Sequence, residues 1–278
     1  MGRPDSIFRF ISRRSEVFSL NSLKLALCTP KNLIVWQELG KHNRIFHGLA
    51  SKFWYGIVAK IGFKKALIVA RSVQAREFIS NYCKNVSDTI IDHGVNIEKF
   101  TPCREKDNQF AISSQLISRK HIEKSIEAFA KYLNKYDDSA KLYIMGDGDE
   151  KENLRKLAKD LGADKNIIFT GKLCHNELIE ILKKSIAMLV YTEKDNNMVS
   201  IVESIALATP VITTDIPYNA SYIKAEKLGI VNNNWNENDL RKLATSDEYI
   251  NNCMNYRKYL PTEYKAEQFL KLFSGEKR

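Results

Sequence analysis

From residue 109 onward, the chain alternates between short apolar runs and amphipathic helical stretches. The run Phe110–Ser114 precedes His121–Leu133, in which apolar residues recur every three or four positions. Strands and helices that alternate at this spacing predict a parallel sheet covered by helices on both faces, and such sheets bind ligands at the carboxyl ends of their strands. The pattern continues with predicted strands Leu142–Met145, Ile167–Thr170, Ile186–Thr192 and Val211–Thr214. Predicted helices cover Glu150–Leu161 and Val199–Ala208. Two further helices are predicted from their N-caps: one begins at Asn176 and reaches Lys184, and the other begins at Asn236.

The first hundred residues show a similar but less regular pattern. Pro102 and the polar stretch Arg104–Gln109 indicate a linker. We therefore predict one domain over residues 1–105, a second over residues 106–255 and a C-terminal helical segment over residues 256–278. The predicted elements are strands Leu33–Trp36, Arg44–Phe46, Leu67–Val69 and Thr89–Asp92, helices Ser51–Phe63 and Ser72–Cys83, and the C-terminal helix Glu263–Phe273.

Positive charge is concentrated in the first part of the chain. The protein has 278 residues and a formal net charge of +10; residues 1–105 hold 17 Lys and Arg against 8 Asp and Glu, a net +9, and the rest hold 26 against 25. Charge of this kind serves nucleic acid, an anionic membrane surface, or solubility alone. Aromatic residues lie among the basic ones, which suits a membrane-facing amphipathic surface as well as RNA.

The cysteines and histidines do not form a metal-site pattern. The five cysteines are widely spaced without a C-x-x-C pair, and the five histidines include no pair four residues apart. We therefore expect reduced thiols, no metal and no cofactor. No apolar run reaches the roughly 18 residues of a membrane-spanning helix, and the first residues lack the apolar core of a secretory signal, so a cytoplasmic location is expected.

Two acids flank a predicted strand-to-helix turn. Asp195 follows the strand, and Glu203 lies within the helix that begins near Val199. A carboxylate can accept hydrogen bonds from two neighbouring hydroxyls, and backbone amides at a helix N-terminus bind anions. This layout suits a nucleotide sugar, which has hydroxyls at both ends and phosphates between them. The alternative is a solvated turn acid and a solvated helix acid.

Five short motifs in this region resemble those of glycosyltransferase family 4, a group of retaining enzymes of the GT-B type. They occur in the family's order between about Ile90 and Leu240. They are Asp92-His93-Gly94-Val95-Asn96 with Phe100 and Pro102; Ser114-Gln115-Leu116 with Lys120; Gly146-Asp147-Gly148; Phe169-Thr170-Gly171; and Glu203-Ser204-Ile205-Ala206 with Pro210-Val211-Ile212. Gln115 stands where the family has an arginine, and we interpret Gly146-Asp147-Gly148 as a structural turn.

The resemblance implies a role for each matching residue. Glu203 corresponds to the acid that binds the nucleotide ribose, and Asp195 to the acid that contacts the donor sugar. Lys120 corresponds to the lysine that clamps the diphosphate, and Arg119 is expected to supply the charge that Gln115 lacks. His47 ends a segment, Arg44-Ile45-Phe46-His47-Gly48, similar to the strand that presents a histidine to the donor sugar. The remaining donor-binding candidates are Asn197, Met198 and Val199, which match a loop with donor-facing amides.

The resemblance also implies a fold and an activity. We expect an α/β protein of the GT-B type, with two Rossmann-like domains facing a cleft, of which the acceptor-side domain is reduced. The implied activity is metal-independent transfer of a hexose, with retention, from a UDP- or GDP-sugar to a glycan or lipid-linked acceptor in bacterial surface polysaccharide synthesis. Residues 1–105 would contact the anionic inner face of the plasma membrane.

Two alternatives remain open at this point. An inactive GT-B remnant that binds a nucleotide sugar or an enzyme partner is suggested by the short N-terminal part, which lacks the family's glycine-rich loop, and by Gln115 and Asp195. A nucleic-acid-binding protein is suggested by the basic charge of residues 1–105. No recognisable nucleic-acid-binding module accompanies that charge, so no nucleic-acid partner is expected.

Overall fold

The protein divides into two compact units, each with its own parallel sheet. The computed structural model describes residues 17–28, 33–42, 48–195 and 197–274. The first unit comprises Met1–Asp92 with Gln268–Arg278, and the second comprises His93–Glu267. Both units alternate strands and helices along the chain. Across the described ranges, no helix has the length and apolar character needed to cross a bilayer.

The described part of the first unit contains a three-stranded parallel sheet in the order β1-β2-β3. Its buried side holds Tyr55, Phe63, Ile68 and Ile79, all fully buried, and burial of each such side chain contributes roughly 1.5–3 kcal/mol. Its elements are α1 (Leu20–Cys28), β1 (Ile34–Gln37), α2 (Leu49–Phe53), a π-helix (Trp54–Ala59), α3 (Lys60–Gly62), β2 (Leu67–Ala70), α4 (Val73–Ser80) and β3 (Val86–Ile90).

Most predicted elements of the first unit are present with shifted ends. The predicted helix Ser51–Phe63 corresponds to α2, the π-helix and α3, which follow one another without a break. Ser72 caps α4, since its Oγ accepts a hydrogen bond from the amide of Ala75 at 3.1 Å. The predicted strand Arg44–Phe46 lies outside the described residues.

The second unit contains a six-stranded parallel sheet in the order β6-β5-β4-β7-β8-β9. The order reverses between β4 and β7, as in doubly wound folds that bind ligands at such a switch point. Its strands are β4 (Gln109–Ser113), β5 (Lys141–Met145), β6 (Ile167–Gly171), β7 (Ala187–Leu189), β8 (Val211–Thr213) and β9 (Gly229–Val231). Its helices are α5 (Ile122–Lys135), α6 (Lys151–Asp160), α7 (His175–Lys184), α8 (Val199–Ala206), α9 (Asn219–Ala225), α10 (Glu237–Ala244) and α11 (Glu248–Tyr256), and the chain then enters α12 (Thr262–Ser274).

The two predicted helix caps of the second unit have different outcomes. Asn236 caps α10 as predicted, since its side chain accepts from the amide of Asn238 at 2.9 Å and its own amide donates to Asp239 at 3.1 Å. The prediction that Asn176 caps α7 was wrong. The capping position is Cys174, whose amide donates to the Glu177 carboxylate at 2.9 Å.

The division between the units differs from the predicted domain bounds of 1–105, 106–255 and 256–278. The chain enters the second unit at His93, because the Val95 amide donates to the Leu260 carbonyl at 2.9 Å and Phe100 is buried in that unit's core. The predicted linker is also anchored there: Lys106 donates to the carbonyl of Lys183 at 2.8 Å, and burial lowers its pKa to about 8. Residues 93–109 are thus part of the second unit.

The C-terminal helix α12 crosses the division between the units after Glu267. In the first unit, its buried Phe269 packs edge-on against Trp36, with ring centroids 6.1 Å apart. Trp36 also donates through its indole nitrogen to the carbonyl of Ile91 at 2.8 Å. The helix therefore completes the core of the first unit, which the predicted separate segment 256–278 did not anticipate.

Candidate functional site

The candidate site lies at the carboxyl edge of the second sheet, where β4 and β7 are neighbours. A one-turn 3-10 helix, Ser118–Lys120, follows β4, and the loop 190–198 follows β7. The two segments touch through their backbones, since the amide of Glu193 donates to the carbonyl of Arg119 at 3.3 Å. Parallel topology thus brings together residues that are about 75 positions apart in sequence.

A carboxylate bound by two cations forms the centre of the site. Lys120 Nζ lies 2.6 Å from Asp195 Oδ2, an Arg119 guanidinium nitrogen lies 3.1 Å from Oδ1, and the hydroxyl of Thr192 donates to Oδ2. The side chains of Lys120 and Asp195 are 10% and 16% exposed, whereas that of Arg119 is 40% exposed. Lys120, Arg119 and Asp195 together carry one net positive charge, which favours an incoming anion.

The environment of Asp195 keeps it ionised. Burial alone would raise its pKa, but hydrogen bonds from Lys120 and Thr192, with the charge of Lys120 and the contact from Arg119, hold its pKa below the usual range. The site therefore presents a charged carboxylate and two cations together at neutral pH.

His121 fixes the loop that carries the two cations. It adopts a left-handed backbone conformation, with φ of 43°, between the 3-10 turn and α5. Its Nδ1 lies 2.8 Å from Glu123 and its Nε2 lies 2.7 Å from Glu193. These two carboxylates raise the pKa of His121, the hydrogen bond to Glu123 being the main cause. The histidine links the lysine-bearing turn to the loop that carries Asp195.

The donor-loop candidates lie at the start of α8. Asn197 is buried, Val199 is 44% exposed, and Met198 precedes the first residue of the helix. The amide of Met198 donates to the side chain of the fully buried Asn219 at 2.7 Å. Asn219 also donates through its side-chain nitrogen to the carbonyl of Met198 at 3.3 Å, so it contacts both backbone polar groups of that residue. The loop is therefore held from beneath by a residue that the sequence analysis did not identify.

Glu203 lies further along α8, about 6 Å beyond Val199 at a rise of 1.5 Å per residue. Its side chain is 17% exposed, and its Oε1 lies 3.1 Å from Nε2 of His175, the first residue of α7. The rings of Phe100 and His175 pack in a T-shaped pair, with centroids 5.8 Å apart. One carboxylate oxygen thus has a side-chain partner that the sequence analysis also missed.

The glycine turn after β5 supports the loop that bears the cations. A Cβ added to Gly146 would lie 1.8 Å from the Ser114 carbonyl oxygen, and one added to Gly148 would lie 2.3 Å from that of Leu116. Both glycines have positive φ, 148° and 159°. The turn lets the backbone after β5 approach the backbone after β4, which agrees with its structural interpretation.

The remaining site predictions have plain outcomes. His47 lies outside the described residues. Within the described ranges, no group of three or more His, Cys, Asp or Glu side chains is placed to hold a metal ion. The structure joins Lys120, Arg119 and Asp195 directly, and it places Asn197, Met198, Val199 and Glu203 on the loop and helix that follow.

This arrangement can bind an anion and hydroxyls in sequence. The cations suit a phosphate group, and the carboxylates of Asp195 and Glu203 suit hydroxyl donors. A helix N-terminus between them adds a favourable field for negative charge.

Known proteins are similar to this chain in sequence and in fold. The family model described as "Glycosyl transferases group 1" matches residues 96–257, more than half of the chain. An alpha-monoglucosyldiacylglycerol synthase of Streptococcus pneumoniae is 28% identical over 189 residues, covering 62% of this chain and 42% of that protein. A poly(ribitol-phosphate) alpha-N-acetylglucosaminyltransferase of Staphylococcus aureus is 27% identical over 129 residues, covering 46% of this chain and 25% of that protein. This chain therefore spans less than half the length of those two relatives.

A solved structure of Anabaena HepE in complex with UDP matches with a TM-score of 0.70 at 13% identity, covering 91% of this chain and 75% of that chain. At this identity, the likeness establishes the fold alone. It confirms the predicted α/β fold of the GT-B type. Because the family model matches most of the second unit, the chain belongs to the family glycosyl transferases group 1.

Proposed function

We propose that the protein transfers a hexose, with retention, from a nucleotide diphosphate sugar to a glycan or lipid-linked glycan acceptor. The observation that carries this proposal is the cluster of Lys120, Arg119 and Asp195 at the switch point of a family member's sheet, followed by Glu203 on α8. UDP and GDP are the proposed nucleotides. The UDP bound in the HepE structure supports a uridine donor.

Each residue has a proposed role in the site. Lys120 and Arg119 stabilise the negative charge that develops on the leaving diphosphate, an electrostatic contribution that is usually the largest in such reactions. Glu203 accepts hydrogen bonds from the ribose hydroxyls, and Asp195 accepts one from the donor sugar. Asn197, Met198 and Val199 line the donor, and His47 faces the sugar. This mechanism needs no metal, because the chain itself supplies the compensating cations.

Donor binding changes the partners of Asp195 in this proposal. A bound diphosphate shares Lys120 and Arg119 with the Asp195 carboxylate. This weakens the ion pairs of Asp195 and makes the oxygens of Asp195 available to a sugar hydroxyl. The leaving phosphate then serves as the base toward the attacking acceptor hydroxyl. No protein nucleophile is needed for that step.

The acceptor and the location belong to the same proposal. The relatives' names describe a diacylglycerol glycolipid and a poly(ribitol-phosphate) polymer, which supports an acceptor anchored at or near a membrane. We place the protein in the cytoplasm at the anionic inner face of the plasma membrane, acting in bacterial surface polysaccharide synthesis. The net charge of +9 in residues 1–105 supports peripheral contact there.

A second candidate is an inactive protein that binds the donor or an enzyme partner. It is favoured by Gln115, which stands where the family has an arginine, and by the engagement of both cations with Asp195. It predicts nucleotide binding without turnover.

The test is turnover of UDP- and GDP-hexoses by the purified chain, measured as release of UDP or GDP with and without membrane-extracted acceptor lipids. The proposal expects release that rises with acceptor and a product whose anomeric configuration by NMR equals that of the donor. Nucleotide binding with no release under any condition would instead support the inactive candidate. An inverted product would contradict retention.

A further inference from the structure

The helical stretch that follows Gly48 arranges its side chains in rows with a period of four residues. One row faces the core of the first unit: Ser51, Tyr55, Ala59 and Phe63 are all fully buried. A second row, which we call the apolar ridge, is exposed and consists of Leu49, Phe53, Ile57 and Ile61. A third row, which we call the basic ridge, is exposed beside it and consists of Lys52, Lys60 and Lys64, with Gly56 at the remaining position.

The π-helix in the middle of this stretch explains why the rows stay aligned. In an α-helix of 3.6 residues per turn, a four-residue period drifts by about 40° at each step. The π-helix Trp54–Ala59 bonds each residue to the fifth one along, so its wider turn offsets that drift. The apolar ridge therefore runs along one side of the stretch instead of winding around it.

The apolar ridge is exposed to an unusual degree for a continuous row. Leu49, Phe53, Ile57 and Ile61 are 66%, 61%, 51% and 70% exposed. Single exposed apolar residues are common, but contiguous exposed apolar surface marks an interaction site. Helix α1 packs beside this stretch, since a Cβ on Gly62 would meet Leu23 at 2.1 Å. Its outer face adds two residues that are also about two-thirds exposed, Leu20 and Leu27.

The charge of this face is uniform. Neither α1 nor residues 49–64 contain an Asp or a Glu, and together they carry Lys24, Lys52, Lys60 and Lys64. In the sequence, Lys52 directly precedes Phe53 of the apolar ridge and Lys60 directly precedes Ile61, whereas Lys64 follows the end of α3. Lys24 is exposed on α1 between Leu20 and Leu27. A cationic border around an apolar stripe is the pattern of helices that lie in an anionic membrane interface.

We propose that this face, formed by the apolar ridge, the basic ridge and the outer side of α1, binds the surface of an anionic lipid bilayer. The apolar ridge enters the region between headgroups and acyl chains, and the lysines contact anionic headgroups. A second copy of the chain fits less well, because a two-fold contact would bring the two basic ridges together. A nucleic acid would leave Leu49, Ile57 and Ile61 in water, because bases stack on aromatic side chains and not on aliphatic ones. This face specifies the membrane contact that the proposed function includes. It rests on the proposed function only in that a lipid-linked acceptor would be reached at the bilayer.

The test is co-sedimentation of the full chain with vesicles of phosphatidylcholine alone and of phosphatidylcholine with phosphatidylglycerol. We expect binding to the anionic vesicles that weakens with added salt and is much weaker on the neutral ones. Lys60→Ala with Lys64→Ala should weaken binding about 25-fold, at about fivefold per lysine. Phe53→Ser with Ile57→Ser should weaken it by tenfold or more while keeping its salt dependence.

Matched controls use exposed residues of the second unit. Lys156→Ala with Lys159→Ala removes two exposed lysines of α6, and Leu161→Ser removes a residue that is 38% exposed; both should bind vesicles as the unchanged chain does. Circular dichroism melts of every variant show whether it is folded.

Several outcomes would overturn the inference: no binding to anionic vesicles by the unchanged chain, equal binding to neutral vesicles, or equal losses in the control variants. Dimerisation or RNA binding abolished by Phe53→Ser, without vesicle binding, would assign the face to another partner. UDP titration of the same samples separates the two proposals. Retained nucleotide binding with no vesicle binding would remove only the membrane face, and vesicle binding without nucleotide binding would remove only the donor site.

Discussion

Replacing Asp195 by Asn tests the centre of the site, because it removes one charge and keeps the shape. In the structure the carboxylate is mostly buried and has three partners: Lys120 at 2.6 Å, Arg119 at 3.1 Å and the Thr192 hydroxyl. Breaking a fully buried pair costs about 3–5 kcal/mol, and an exposed pair contributes about 0–1 kcal/mol. Since Arg119 is 40% exposed and the cluster lies at the surface, we expect Asp195→Asn to lower the free energy of unfolding by about 1–2 kcal/mol at pH 7.

The same substitution should strengthen anion binding. In the unchanged protein, an incoming diphosphate competes with the Asp195 carboxylate for Lys120 and Arg119. In the variant, the side chain at position 195 is neutral and competes less. One charge-assisted hydrogen bond is worth about 1.5–3 kcal/mol, so even partial release of the cations should raise the affinity for inorganic pyrophosphate by about tenfold. Transfer to sugar should nevertheless fall, since the proposed acceptor of the sugar hydroxyl has lost its charge.

The stability effect should also depend on pH in a defined direction. The folded-state pKa of Asp195 is lowered, so its contribution to stability is present above the unfolded pKa of about 3.9 and is lost as the pH falls through the lower folded value. Urea unfolding should therefore show a constant difference between the variant and the unchanged protein from pH 7 to about pH 5, and a difference that shrinks only as the pH falls below about 3.9.

Calorimetric titration with pyrophosphate completes the assay. Asp160→Asn serves as the control because that acid is exposed at the end of α6. An unchanged or weaker pyrophosphate affinity in Asp195→Asn would refute the idea that Asp195 competes for the diphosphate cations. An unchanged free energy of unfolding would show that the ion pairs contribute nothing to the fold.

Three further predictions concern the surroundings of this cluster. Lys120→Ala should lower the turnover number more than it weakens donor binding, because its charge acts mainly in the transition state; equal effects in steady-state and binding assays would limit it to binding. His121→Gln should lower the melting temperature more at pH 6 than at pH 8.5. The raised pKa of His121 contributes stability that is present below about pH 6.5 and is lost as the pH rises through the pKa of the folded state. Equal changes in melting temperature at the two pH values would exclude a charged His121. Gly146→Ala should lower the free energy of unfolding by more than about 2 kcal/mol, because its Cβ would meet a backbone oxygen at 1.8 Å. Gly56→Ala is the control: its Cβ has nothing within 4 Å in a helical stretch, so the free energy of unfolding should stay unchanged or rise by up to about 1 kcal/mol. Similar results for the two variants would contradict the close approach at Gly146.

The sequence predicted the second unit well because its central strands β4, β7 and β8 are buried on both faces. β4 and β5 appear as continuous apolar runs, and α5 carries a clear apolar stripe between them, so local pattern and tertiary burial agree. The short elements were missed for the opposite reason. β9 has only three residues and begins with Gly229, and α9 has only seven residues, with no side-chain hydrogen bond at its N-cap. Their positions depend on neighbours far away in sequence.

The candidate site shows the same limit. Lys120, Asp195 and Glu203 occur in motifs, so their approximate places followed from strand and helix order. Asn219 and His175 belong to no motif, and their contacts with Met198 and Glu203 arise only when α9 and α7 pack beside α8. What distinguishes Asn219 is that it is buried, and the burial of one polar residue cannot be predicted from the sequence. The polar stretch 104–109 has the composition of a linker, yet it lies in the second unit, where Lys106 donates to the carbonyl of Lys183 and to the hydroxyl of Thr209.

The most direct measurement is calorimetric titration of the full chain with UDP, GDP, ADP and their hexose conjugates, beside Glu203→Gln and the control Glu152→Gln on the surface of α6. The account predicts micromolar binding of one nucleotide, weakened by roughly 1.5–3 kcal/mol in Glu203→Gln and unchanged in Glu152→Gln, with similar melting temperatures for all three proteins. No binding of any nucleotide by the unchanged chain, or equal binding by Glu203→Gln, would contradict a donor site at this edge of the sheet.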